Sequence, residues 1–99
     1  MKIIKVIKYY KHIRRGEEPA KYTAHQKGNK VDIIIRLDPI LKKHSDLRKA
    51  IIKHELDETR NWAKKKLASH QYAKNREPEF IKKIGGVSGF WDEIKRREK

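Results

Sequence analysis

Val31, Ile33, Ile35 and Leu37 alternate with Asp32, Ile34 and Arg36, and this run constrains the fold more than any other feature of the chain. Successive side chains on a strand point to opposite faces, so the alternation predicts a β-strand with one apolar face turned to a core. The strand is expected at or near the centre of a sheet. Asp38-Pro39 follows as a helix-start signal. Its carboxylate can cap free amides, and the missing proline N–H costs nothing at the first helical position, so a short helix through Ile40 and Leu41 is expected.

Upstream, Ile3 to Tyr10 is β-branched and aromatic with lysines among its apolar residues, which predicts an edge-like strand. Arg14-Arg15-Gly16-Glu17-Glu18-Pro19 reads as a polar loop, Tyr22 to Gln26 as a short second strand, and Gly28-Asn29 as a hairpin turn. Downstream, Ser45 is the expected N-cap of a long helix. Leu47, Ile51, His54, Glu58 and Trp62 form one stripe of it and Ile52, Leu56, Ala63 and Leu67 a second. That leaves a narrow exposed ridge of Lys53, Asp57, Arg60 and Lys64, so the helix should be packed on more than one side. A bend is expected at Lys65 to Ala68. Ser69 then caps a helix running through His70, Ala73 and Glu77 until Pro78 stops it. Phe80, Ile81 and Ile84 predict a brief helix ended by Gly85-Gly86, and Ser88 caps a last amphipathic segment with Phe90, Trp91 and Ile94. Phe90 and Trp91 should anchor this segment to the core.

The chain's 99 residues leave no room for a second core, so residues 1–99 are expected to form one domain. The predicted class is α+β: a small, mostly antiparallel sheet from the N-terminal third, with helices packed on one face. The absence of cysteine excludes disulfides and thiolate metal sites, so any metal must be held by His, Asp or Glu. Every apolar run is broken by charge well before the length of a signal or membrane segment, which points to a cytoplasmic protein with no membrane partner. Lys and Arg number 27 against 13 acids, a net charge of +14. Many Ile, one Met and few amides resemble the composition of proteins from hot environments, but such proteins normally balance Lys with Glu. The excess points to a polyanionic partner.

On the long helix, His54 and Glu58 lie one turn apart on one face, inside the apolar stripe, with Glu55 along its edge. A histidine and a carboxylate placed where core residues are expected either bond to each other or hold something, because an unpaired buried polar group is costly. This is the spacing of a helical metal motif, in which two side chains at i and i+4 ligate zinc while a glutamate between them activates water. Glu58 stands where histidine is usual; its oxygen is an acceptable zinc ligand. His70 and Glu77 lie seven residues apart, with the small Ala73 between them.

Together, His54-Glu55-Leu56-Asp57-Glu58 and His70-x-x-Ala73-x-x-x-Glu77 resemble the small zincin-like metallopeptidase domains of phage and mobile elements, where HExxE is followed by HxxAxxxE. The resemblance covers Asp38 to about Glu77. It implies zinc held by His54, Glu58 and one or both of His70 and Glu77, Glu55 as general base, and a hydrolase or its inactive descendant. The length and composition are also similar to those of small proteins of filamentous viruses from hyperthermophilic, acidophilic archaea, which would place the chain in a host cytoplasm and assigns no residue a role.

A nucleic-acid-binding module, possible with or without a viral origin, is the alternative, with a non-enzymatic adaptor third. Lys2, Lys5, Lys8, Lys11, Arg14 and Arg15 make the N-terminal segment cationic, and Tyr9, Tyr10 and Tyr22 are interleaved or nearby, so phosphates and bases could meet there. Equally, charge on an edge strand can serve to block aggregation. His12, His25 and His44 have no convincing ligand-type partner at helical spacing and read as ordinary surface or half-buried residues.

Overall fold

The structure, a computed structural model, describes residues 1–14, 16–64, 69–86 and 89–98. Three strands, β1 (Lys2–Tyr10), β2 (Ala20–Lys27) and β3 (Lys30–Leu37), form one sheet of order β1-β3-β2. A 3-10 turn (Pro39–Lys43) leads into helices α1 (Ser45–Ala63), α2 (Ser69–Asn75), α3 (Glu79–Lys83) and α4 (Phe90–Arg97). The chain is thus α+β, with the sheet in its N-terminal part. The bend expected at Lys65 to Ala68 and the Ser88 cap lie outside the described residues.

The alternating strand is central. Val31, Ile33, Ile35 and Leu37 are buried and pack with Leu41, Leu47, Ile51, Ile81, Phe90 and Ile94. β2 and β3 form the expected antiparallel hairpin, turning on Gly28, whose φ of 60° is left-handed. β1 pairs parallel to β3, so the sheet is mixed, with one pairing of each kind.

The parallel pairing follows from the path of the chain between β1 and β2. β1 ends and β2 begins at the same end of β3, opposite Leu37, so the loop between them must cross over that end. Asp38 pins the crossing: one carboxylate oxygen accepts from the Ile13 amide at 2.9 Å, and its own amide donates to the Pro19 carbonyl at 2.9 Å. The other oxygen accepts from the Ile40 amide at 2.9 Å, which is the predicted helix-start cap. Ile13 and Pro19 are buried under the crossing.

Three details of the helices differ from expectation. The N-cap of α1 is His44, with no side-chain cap bond, and Ser45 is already helical. Asp57, placed on the exposed ridge, is buried beneath Lys53 at 2.7 Å and Arg76 at 3.4 Å, because the segment after α2 folds back over it. The second helix ends at Asn75, before Glu77, with Arg76 and Glu77 donating to the Ala73 and Lys74 carbonyls in a tightening last turn. Phe90 is fully buried and Trp91 packs against the core, so α4 is anchored as expected.

Candidate metal centre

His54 sits in the middle of α1 at 1% exposure, on the stripe that also carries Leu47 and Ile51. Its two ring nitrogens face different groups. Nε2 lies 3.4 Å from Glu58, one turn on, and Nδ1 lies 3.0 Å from Oε1 of Glu77. Neither contact has the alignment of a full hydrogen bond, so both buried nitrogens, and Oε1 of Glu77, are left without a bonded partner. Such orphaned groups are rare in folded proteins and call for an explanation, of which a bound ion is one.

His70, on the first turn of α2, brings its ring to 5.1 Å from that of His54, edge to face, and its Nδ1 to 3.6 Å from the same Glu58 oxygen. The close approach of the two helices is made possible by Ala73, which is buried on α2. Two sets of side chains offer ligand atoms that all lie within 4.8 Å of one another: His54 with Glu55 and Glu58, and His54 with His70 and Glu18. Tetrahedral zinc holds its N and O ligands at about 2.0–2.1 Å, which places them about 3.3 Å apart. The Glu58 contacts with His54 and His70, at 3.4 and 3.6 Å, are close to that spacing. Glu58 and His70 fall in different sets, and each set by itself offers groups that could hold a metal ion.

Glu18 was not singled out by its sequence context. It lies in the crossing loop, where no periodicity marks a functional face; Asp38 brings it to α1 by holding that loop in place. Glu77, expected to follow His70 along one helical face, instead leaves the helix and belongs to neither ligand set among the described residues. Its Oε1 faces the opposite nitrogen of His54 at 3.0 Å without hydrogen-bond alignment. Gly86, at φ 76°, closes over it: a Cβ there would lie 3.1 Å from Oε2 of Glu77.

An open cleft beside the centre is lined by Glu18, Ala20, Lys21, Tyr22, Glu55 and Glu58. Glu55 is 2% exposed, and burial, reinforced by the negative charges of Glu58 and Glu18, pushes its carboxyl up to about 8. Tyr22 is also raised, first by burial and then by Glu58 and Glu55, which keeps its phenol protonated. Perturbed carboxyls of this kind, beside side chains that could hold a metal ion, cluster at functional sites.

The basic N-terminal set does not form one surface. Side chains repeat every two residues on a strand, so lysines spaced by three change faces. Lys2 and Lys5 share the face away from the helices only because the register shifts between Ile3 and Lys5; Lys8, aligned with Ile35, belongs to the helix side. Lys11 and Arg14 lie beyond the strand, and Arg15 is outside the described residues.

Fold and site together define a small α+β chain in which buried His54, on the longest helix among the described residues, is joined by exposed His70 of α2 and by carboxylates of α1 and the crossing loop. Compared with family profiles, with curated proteins and with solved structures, the chain matches none. No helix among the described residues is long and apolar enough to cross a membrane.

Proposed function

We propose that the chain is a zinc-dependent hydrolase of the zincin-like kind, with His54, Glu58 and His70 as ligands and Glu18 as a further carboxylate within reach. The observation that carries this reading is the buried Nε2 of His54, which has no bonded partner and faces Glu58 at 3.4 Å with His70 alongside. A divalent ion held by these residues would supply Lewis acidity there.

The chain's own residues take the remaining roles. Glu55, buried at the inner wall of the cleft, would take a proton from the attacking water and pass it to the leaving group. Tyr22, protonated across the neutral range, faces the same cleft as a hydrogen-bond donor for developing negative charge. Glu77 lies behind the ligand face, 3.0 Å from Nδ1 of His54, where a small realignment on ion binding would let it accept from that nitrogen and orient the ring.

The test is zinc titration followed by calorimetry and by thermal unfolding. Wild type should bind and be stabilised by about 2.7 kcal/mol at a hundredfold excess over Kd. His54→Ala and Glu58→Ala should lose both effects. A wild-type chain without zinc affinity would sink the reading. Glu55→Gln should retain zinc and abolish hydrolysis of a peptide or ester library; a wild type that binds zinc yet hydrolyses nothing would be the inactive descendant.

A further inference from the structure

The face of the sheet away from the helices is open, and the strand register arranges its side chains in rows. Ile7 aligns with Ile34 and Thr23, Tyr9 with Arg36 and Lys21, and Lys2 with Lys30 and Lys27. Six cations, Lys2, Lys5, Lys21, Lys27, Lys30 and Arg36, share this face with one acid, Asp32. Lys21 is paired with Glu17, but Lys2, Lys5, Lys27 and Lys30 make no ion pair among the described residues. Protection against edge-to-edge aggregation accounts for charge on the outer strands β1 and β2. It does not account for Lys30 on the central strand, nor for Ile7, 39% exposed, lying beside Ile34 in the open, whereas Arg36 donates to the His12 carbonyl.

Apolar and aromatic residues in the middle of a face, with cations at both ends, can stack bases and neutralise phosphates together. Three strands give a face about 10 Å wide with no projecting helix or ribbon to enter a duplex groove. Tyr9, 41% exposed, supplies the aromatic surface next to Arg36.

We propose that this open face binds single-stranded nucleic acid, with Ile7, Ile34 and Tyr9 against the bases and Lys2, Lys5, Lys27 and Lys30 against phosphates. The face lies across the sheet from His54, so the proposal stands independently of metal binding. Its charge complementarity with a polyanion comes from the register of all three strands, and only Lys2 and Lys5 belong to the cationic N-terminal run.

Fluorescence anisotropy with labelled oligothymidine and oligouridine, over a salt series and with the full chain, tests it. Lys5→Glu combined with Lys30→Glu should weaken binding by about tenfold or more and reduce the magnitude of the salt slope by about 1.4, the value for two lost phosphate contacts on a single strand. Tyr9→Ala should weaken binding by about tenfold with an unchanged salt slope. Lys82→Glu combined with Lys95→Glu, an equal change of net charge on the helices, should have little effect. An equal loss in that helical pair would overturn the proposal, as would preference for duplex DNA or binding confined to phosphatidylserine vesicles. Thermal unfolding monitors folding of each variant, and Lys5→Gln with Lys30→Gln replaces the reversal pair if that pair unfolds.

Discussion

Nδ1 of His54 lies 3.0 Å from Oε1 of Glu77, with both side chains buried, although the two residues belong to different segments of the chain. A carboxylate behind a ligand histidine fixes the ring's orientation and raises its basicity, and loss of such a partner typically lowers metal affinity by about 10- to 100-fold. Glu77→Gln should therefore weaken zinc binding by about that factor while leaving the unfolding temperature of the metal-free chain nearly unchanged. Gly86→Ala should weaken zinc binding similarly and also destabilise the fold, because the new Cβ meets Oε2 of Glu77 at 3.1 Å and φ is 76°. Parallel calorimetric and thermal measurements separate the two variants.

The pH dependence of the metal-free chain should report Glu55. Its folded pKa is raised to about 8 from an ordinary value of 4.5, mainly by burial. Between those values the folded chain binds the extra proton and the unfolded chain does not, so the stability associated with this group is fully present below about 4.5 and lost as pH rises towards 8. Denaturant unfolding should show a decline over that window in wild type and a much flatter profile in Glu55→Gln. Excess zinc should reduce the decline, since a nearby cation favours the ionised carboxylate.

Asp38→Ala should destabilise the chain by about 2–3 kcal/mol, because it leaves the buried Ile13 amide and the Ile40 amide without their acceptor. It should also loosen the crossing loop that carries Glu18. Asp38→Asn retains one acceptor oxygen and should cost less. Chemical denaturation gives the energies, and hydrogen exchange at Ile13 reports the loop.

Ala73→Leu should separate the two histidines. Ala73 is 1% exposed on α2, and extra methyl groups in a packed site cost about 1–3 kcal/mol. The added bulk should push His70 away from its 5.1 Å contact with His54 and lower zinc affinity, whereas Ala73→Gly should preserve the site at a cost of about 1 kcal/mol in helix stability. Zinc titration of both variants distinguishes packing from helix propensity.

Much of the fold was legible because its signals are local. The alternation at Val31 to Leu37 specifies a strand with a buried face, Gly28-Asn29 a hairpin turn, Asp38-Pro39 a cap, and the i, i+4 spacing puts His54 and Glu58 on one face of a helix whatever surrounds it. Backbone periodicity is a property of a few consecutive residues, so it can be read without knowing the partners.

What only the tertiary structure decided involves residues distant in the chain. The parallel pairing of β1 with β3 follows from a loop crossing the end of β3, and the crossing, pinned by Asp38, brings Glu18 to His54. An α-helix running through Glu77 would have kept that residue in line with His70; the helix ends at Asn75 instead, and Glu77 meets the far side of His54. Likewise the lysines of β1 are evenly spaced in sequence, yet the register shift after Ile3 decides which of them share a face with Lys30 and Arg36. The sequence by itself determined which side chains each element could present together. Which elements meet depends on chain crossings and on burial against distant partners, and no local periodicity encodes those.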